Sequence, residues 1–174
     1  MDQVTDGEAT VLSLIERMQP ITAYQIRKVL AASPTTNISN STGKIYPIIR
    51  RLKADGLIAA TAVEDDARGA ERLTCTEQGR RVVRQWVKTV GTAHLLLEDP
   101  LRTKILSFNL LPKAEQVRWL KTARADLVAK AEEIEAFARK YSGPYHDLAH
   151  ANARLTTAAR IAWIDQVLKR IAKK

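Results

Sequence analysis

A run of basic residues around a single tyrosine stands between residues 41 and 58, in the segment STGKIYPIIRRLKADGLI. Placed at the 100° intervals of a helix, its apolar residues share one side: Ile45, Ile48, Ile49 and Leu52. The opposite side carries Gly43, Tyr46, Pro47 and Arg50, flanked by Lys44, Arg51 and Lys53. Cationic side chains beside an aromatic ring on one helix face are suited to the phosphates and base edges of a nucleic acid.

Pro47 is unusual inside this helix, because proline has no amide to donate to the carbonyl of Gly43, a loss of about 3 kcal/mol in a helix interior. Near the first turn the cost falls, and Gly43 offers a permissive backbone there. Two interpretations remain. Either the helix start is shaped to present its amides and Lys44 to a phosphate, or Pro47 makes a simple kink. The surrounding elements favour the first.

Three predicted helices surround this motif. The first has its apolar residues at helical spacing before Pro20: Val11, Leu12, Leu14, Ile15 and Met18. Thr22 and Gln25 have capping-box spacing at the start of the second. That helix directs Ile26, Val29 and Leu30 inward. Ser41 is expected to cap the third, which runs from about 42 to 55 and stops at Gly56.

After Gly56 the pattern changes to two short β-tolerant runs, LIAATAV and ERLTCT, around the charged segment EDDARGA. This pattern predicts a hairpin. Three helices followed by a hairpin indicate a winged helix-turn-helix. A fourth helix follows Thr76, with a broad apolar face: Val82, Val83, Trp86, Val87 and Val90.

The remaining sequence predicts helices only. Asp99 caps one helix with Pro100 at its first position, and Pro112 is expected to open the next in the same way. Residues 142–144 separate that long helix from a last one, which runs from about 145 to the end. Each long helix has about 28 residues and a length near 40 Å, too long for a small domain to bury alone. We therefore expect them to pack against a second copy of the chain.

The predicted fold is mainly α with a small β-hairpin wing. We expect a winged-helix DNA-binding domain at residues 1–92 and a helical dimerisation and effector domain at residues 93–174.

Three segments resemble one protein family. TGKIYPIIRRLKADGLI resembles the third-helix signature of the PadR family of winged-helix transcriptional regulators. AYQI, at 23–26, is similar to the family's second-helix Gly-Tyr pair with alanine in place of glycine, and RLTCTEQGRRVVRQW resembles the segment after the wing. The resemblance covers residues 8–90, and the long helical remainder is similar to the larger PadR subclass. The resemblance implies a DNA-binding regulator, and members of the PadR family are known for sensing phenolic acids.

Two features depart from the family pattern. The wing has only two basic residues, Arg68 and Arg72, among four acidic ones: Glu64, Asp65, Asp66 and Glu71. We therefore expect the wing to bind phosphate less strongly than the family's usual basic wing. Lys44 also stands where small residues are common, and Arg50 is paired with Arg51, so base preference cannot be transferred from the family.

Two sets of site residues follow. The expected DNA contacts come from the second helix, the third helix and the wing: Tyr24, Lys44, Tyr46, Arg50, Arg51, Lys53, Arg68 and Arg72. One face of the last helix combines an aromatic ring, a cation and two hydrogen-bonding groups, which suits a small aromatic carboxylate: Asn152, Thr156, Arg160 and Trp163. The alternative is that Arg160 pairs with an acidic group of the long helix and Trp163 packs at the dimer interface.

Other chemistry finds little support in the sequence. His146 and His150 have the spacing of a helical metal pair, but Asp147 points elsewhere, so no metal and no cofactor is expected. Cys75 is interpreted as a small core residue. No catalytic motif is identifiable, so we expect no enzyme. The acidic N-terminus and the lack of a long apolar run indicate a cytoplasmic protein that does not enter the membrane.

A net charge of +9 indicates a polyanionic partner, although the excess is larger after residue 90 than before it. The main hypothesis is a homodimeric repressor that binds an inverted-repeat operator in double-stranded DNA and is released by an effector. The alternatives are a winged-helix activator or architectural factor without a ligand, and a basic adaptor that binds only proteins.

Overall fold

The protein was analysed as a computed structural model that describes residues 4–35, 41–63, 69–95, 98–141 and 143–172, without the side chain of Ala93. The chain divides into two compact units, residues 1–95 and 96–174.

The first unit begins with helix α1, Asp6–Met18. Its start is a capping box, in which the Glu8 amide donates to Thr5 Oγ1 at 3.3 Å and the Thr5 amide donates to Glu8 Oε2 at 2.9 Å. Helix α2, Ala23–Ala32, begins with the predicted capping box of Thr22 and Gln25. Met18 was expected inside but is 46% exposed, because it is the last residue of α1 and lies beyond the core.

Helix α3, Thr42–Ala54, is continuous through Pro47. Ser41 occupies the cap position, but its side chain makes no capping hydrogen bond. At the other end Gly56 has a φ of 69°, the Leu57 amide donates to the Leu52 carbonyl, and the Gly56 amide donates to the Lys53 carbonyl. These bonds form a Schellman motif, which confirms Gly56 as the stop signal.

A three-stranded antiparallel sheet completes the wing, with strands β1, Ile21–Thr22, β2, Ile58–Ala62, and β3, Glu71–Cys75. The order is β1-β3-β2, and Leu73 pairs with Ile21 on one side and Ala60 on the other. The predicted hairpin is confirmed. Strand β1 was not predicted because two residues are too few to show an alternating pattern.

Helix α4, Glu77–Lys88, is packed closely on this sheet. A Cβ at Gly79 would overlap the carbonyl oxygen of Leu57 and lie 2.7 Å from Cys75 Sγ, so only glycine allows this approach. The predicted broad apolar face of α4 is wrong in its last part, since Val87 is 66% exposed and Val90, which is 73% exposed, lies beyond the end of the helix. The core of this unit lies under the first turns of α4 and does not extend to its end.

The core of the first unit gathers the inward residues of α1, α2, α3 and the sheet. Its most deeply buried large side chains are Val11, Leu12, Ile15, Ile26, Ile45, Leu52 and Leu73. The residues that hold α3 therefore come from every element around it.

The second unit contains a short helix, α5, Pro100–Ile105, and two long helices, α6, Lys113–Lys140, and α7, His146–Ala172. Asp99 caps α5 as predicted, since its Oδ1 accepts from the Leu101 amide at 2.9 Å. Pro112 was expected to be the first residue of α6, but its ψ of 147° makes it the capping residue. None of the described helices is long and apolar enough to cross a membrane.

A second core forms where α6 and α7 pack together. Its buried residues are Phe108, Leu120, Ala123, Leu127 and Ile164. One side of α7 packs against this core through Ile161, Ile164, Leu168 and Ile171. Another side of α7 remains exposed, including Leu148, Leu155, Ala158 and Ala162. The unit thus covers only one of the two apolar sides of its last helix.

Candidate nucleic-acid interface

The core sets the orientation of α3. Ile45, Ile49 and Leu52 are at most 5% exposed and pack against the first-unit core. Since they share one side of the helix, the opposite side is directed away from the protein.

Three side chains of that outer side are exposed and make no ion pair within the described residues: Lys44, Tyr46 and Arg50. Tyr24, on α2, is 68% exposed. A cation that is not paired with a carboxylate is available to bind an external anion. This outer side, defined by Lys44, Tyr46 and Arg50, is called the basic face below.

Arg51 differs from Arg50, because its Nη1 donates to Glu8 Oε1 at 2.6 Å. Glu8 is only 6% exposed. Its burial disfavours the charged form, but the hydrogen bonds from Thr5 and the nearby Arg51 outweigh this and lower the pKa of Glu8 from its ordinary 4.5. Arg51 therefore ties α3 to the start of α1, and its side chain remains 65% exposed.

Lys53 is also engaged, since its Nζ donates to both carboxylate oxygens of Glu71 at 2.7 Å. This ion pair joins the end of α3 to strand β3 of the wing. Arg72, the next residue of β3, is exposed, and Arg68 lies outside the described residues. Of the cations expected to contact DNA, the structure thus leaves Lys44, Arg50 and Arg72 without a carboxylate partner in the described part of the chain.

A shallow, mostly apolar depression lies on the outer side of α3, lined by Thr42, Gly43, Tyr46, Pro47 and Arg50. Gly43 and Pro47 were placed on this side from helical spacing, without an assigned role. Thr42 was missed, although the same spacing puts it one turn before Tyr46. The depression and the basic face share two residues, Tyr46 and Arg50.

Residues 11–85 match the model of the Transcriptional regulator PadR-like family. The matched segment makes up most of the first unit. No match was found among curated proteins.

Solved PadR structures share the fold of the whole chain. Bacillus subtilis PadR in complex with operator DNA superposes with a TM-score of 0.78 at 17% identity, covering 94% of this chain and 98% of that one. A PadR-like transcriptional regulator from Bacillus cereus gives 0.78 at 18% identity, with coverage of 97% and 100%. The Vibrio cholerae virulence activator AphA gives 0.62 at 19% identity, with coverage of 97% and 99%.

The family model that matches residues 11–85 is one of transcriptional regulators, and the solved structures share the fold of the chain. This outcome confirms the resemblance and the fold class derived from the sequence.

In the second unit, Arg160 forms a two-pronged ion pair. Its Nε and Nη2 donate to the two carboxylate oxygens of Asp99, each at 2.9 Å. Burial opposes ionisation of Asp99, yet the bonds from Arg160 and the Leu101 amide leave its pKa below the ordinary 3.8. The partner of Arg160 is thus the cap of α5 and not a residue of the long helix α6.

The other residues of the expected effector face lie in different surroundings. Asn152 and Thr156 are exposed, whereas Trp163 is half-buried and packs beside the core of the second unit. Among the described residues no His, Cys, Asp or Glu cluster could hold a metal ion. His150 instead points its buried Nε2 toward Glu135 Oε2, 3.8 Å away.

Cys75 is buried in β3, as the sequence indicated. Burial and a hydrogen bond with Glu16 raise the pKa of its thiol to about 11. At neutral pH it is a thiol and not the reactive thiolate.

Proposed function

We propose that this protein is a homodimeric, cytoplasmic transcriptional repressor whose first unit binds an inverted-repeat operator. The observation that carries this proposal is the basic face of α3, because Lys44, Tyr46 and Arg50 are exposed and free of ion pairs with the described residues. In this arrangement α3 enters the major groove, where Arg50 reads base edges and Lys44 contacts phosphate. Tyr24 contacts the DNA backbone from α2.

The wing has a supporting role in this proposal. Arg72 and Arg68 approach the phosphates beside the groove, and Arg51 and Lys53 hold α3 in place through their ion pairs with Glu8 and Glu71. The operator complex of Bacillus subtilis PadR supports this assignment, since the two proteins share a fold.

The exposed apolar side of α7 supports the dimer. Leu148 and Leu155 are 64% and 69% exposed, although the opposite side of the same helix is packed on its own unit. In our proposal a second copy covers this side, so that two recognition helices face half-sites about one helical turn apart.

A small aromatic carboxylate is the proposed effector, and the complex of Bacillus subtilis PadR with p-coumaric acid supports this choice. The ion pair of Arg160 with Asp99 limits how the effector carboxylate can bind. A ligand carboxylate that binds Arg160 must displace Asp99, whose Oδ1 also caps α5. Binding would therefore change the start of α5, while Trp163 covers the aromatic ring and Asn152 and Thr156 contact its polar groups.

A direct test separates the parts of this proposal. An operator is first obtained by selecting bound duplexes from a random pool, and release is then measured as aromatic carboxylates are added. We expect release by at least one phenolic acid, with the affinity for that acid strongly reduced in Arg160→Gln. Asp99→Asn should bind the acid more tightly, since the competing carboxylate is gone. Release that is unchanged in both variants would contradict the assigned effector site.

An activator is the second candidate function, supported by the shared fold with the virulence activator AphA. Transcription from a promoter that carries the selected operator distinguishes the two. A repressor lowers the output when the protein is added, and an activator raises it.

A further inference from the structure

The depression on α3 has a composition that differs from the charged surface around it. Its lining is mostly apolar, and four of its residues carry no charge: Thr42, Gly43, Tyr46 and Pro47. Arg50 contributes to the same lining and makes no ion pair with the described residues. An apolar hollow beside a free arginine thus lies at the middle of the proposed DNA-binding surface.

Gly43 keeps this hollow open. A Cβ at this position would have no heavy atom within 4 Å, so packing inside the protein does not require a glycine there. Gly43 also has no positive φ, since the positive values in the described chain belong to Gly56, Gly69 and Tyr145. Glycine in a helix lowers its stability relative to alanine. Neither close packing nor a positive φ therefore requires a glycine here.

The major groove offers one apolar group on unmodified bases, the C5 methyl of thymine. Arginine pairs with the O6 and N7 atoms of guanine in the same groove. We propose that the hollow formed by Gly43, Tyr46 and Pro47 receives a thymine methyl group, and that Arg50 reads a guanine beside it. This inference rests on the proposed DNA-binding function and adds the chemical group that each half-site must present.

Deoxyuridine tests this directly, because it pairs with adenine as thymine does and lacks only the methyl group. Each thymine of the selected operator is replaced in turn, and the affinity is measured. We expect that replacing one particular thymine in each half-site lowers the affinity about fourfold, because one buried methyl group is lost. Replacement at the other positions should have little effect.

Gly43→Ala supplies the second half of the test, since its methyl would project from the lining into the open space of the hollow. We expect weaker binding to the thymine operator and a smaller loss on the operator with deoxyuridine at the sensitive position. The two changes should therefore be non-additive. Gly7→Ala is the matched control, since Gly7 also lies in a helix with nothing within 4 Å of an added Cβ.

The outcomes separate this inference from the function on which it rests. If the protein selects an operator but tolerates deoxyuridine at every position, the methyl hollow is wrong and DNA binding stands. Additive effects of Gly43→Ala and deoxyuridine would also overturn it, because the alanine would then clash with something other than the methyl. If no duplex is selected at all, the proposed function itself fails.

Discussion

Arg51 Nη1 donates to Glu8 Oε1 at 2.6 Å and so joins helix α3 to the capping box of α1. The two residues are 43 positions apart, and Glu8 is almost fully buried. The neighbouring Arg50 has no ion pair within the described chain. Two adjacent arginines thus have separate tasks, with Arg51 positioning the helix and Arg50 available for the ligand.

Replacing Glu8 tests the positioning role. Glu8→Gln leaves the Arg51 guanidinium unpaired and weakens the capping box, so we expect a loss of about 1–3 kcal/mol in the free energy of unfolding. The pKa of Glu8 lies below its ordinary 4.5 in the folded protein. The stabilisation is therefore complete above that value and disappears as the pH falls through the folded-state pKa.

Urea unfolding from pH 7 to pH 3 measures both effects. The stability gap between the wild type and Glu8→Gln should close in acid. Glu115→Gln is the control, because Glu115 occupies the same third helical position in α6 and is exposed. A gap that stays constant down to pH 3 would show that the charge of Glu8 contributes nothing.

Gly79 should tolerate no side chain. Gly79→Ala places a Cβ against the Leu57 carbonyl oxygen and Cys75 Sγ, so α4 must move off the sheet. We expect destabilisation of about 3 kcal/mol or more, measured by thermal and urea unfolding. Gly7→Ala should be neutral or slightly stabilising. Equal stability of both alanine variants would show that α4 is packed less closely than described.

The exposed side of α7 should control assembly. Leu148→Glu and Leu155→Glu place charges where we propose that a second copy packs, and both side chains are exposed within their own unit. We expect each variant to shift the protein toward the monomer in light scattering while its helical circular dichroism is unchanged. Variants that remain as dimeric as the wild type would place the dimer interface elsewhere.

Cys75 should react only after unfolding. Its pKa of about 11 and its burial leave little thiolate at pH 8. Alkylation with iodoacetamide should be slow in the native protein and fast in concentrated urea. Rapid labelling of the native protein would contradict the interpretation of Cys75 as a core residue.

Local signals in the sequence predicted much of the fold. The capping box of Thr22, the stop at Gly56 and the cap at Asp99 each depend on residues a few positions apart, so spacing alone reveals them. The two-residue strand β1 gave no periodic signal, and its pairing with Leu73 depends on contacts distant in sequence.

The site was predicted less completely, for the same reason. Helical spacing placed Lys44, Tyr46 and Arg50 on one side of α3. Spacing did not reveal the pairs of Arg51 with Glu8, Lys53 with Glu71 and Arg160 with Asp99, because each joins elements far apart in the chain. These pairs decide which cations are free for a ligand and which hold the fold together.

The salt dependence of DNA affinity tests the central proposal most directly. A protein that neutralises phosphates releases counterions, so its binding constant falls linearly on a log-log plot against salt, whereas an adaptor that binds only proteins gives no such line with DNA. We predict a steep negative slope for the wild type on the selected operator. Lys44→Ala should reduce that slope by about one, and Lys121→Ala, which removes an exposed lysine of α6, should leave it unchanged. Duplex affinity that is absent, independent of salt, or equally affected by the two lysine variants would contradict binding through the basic face of α3.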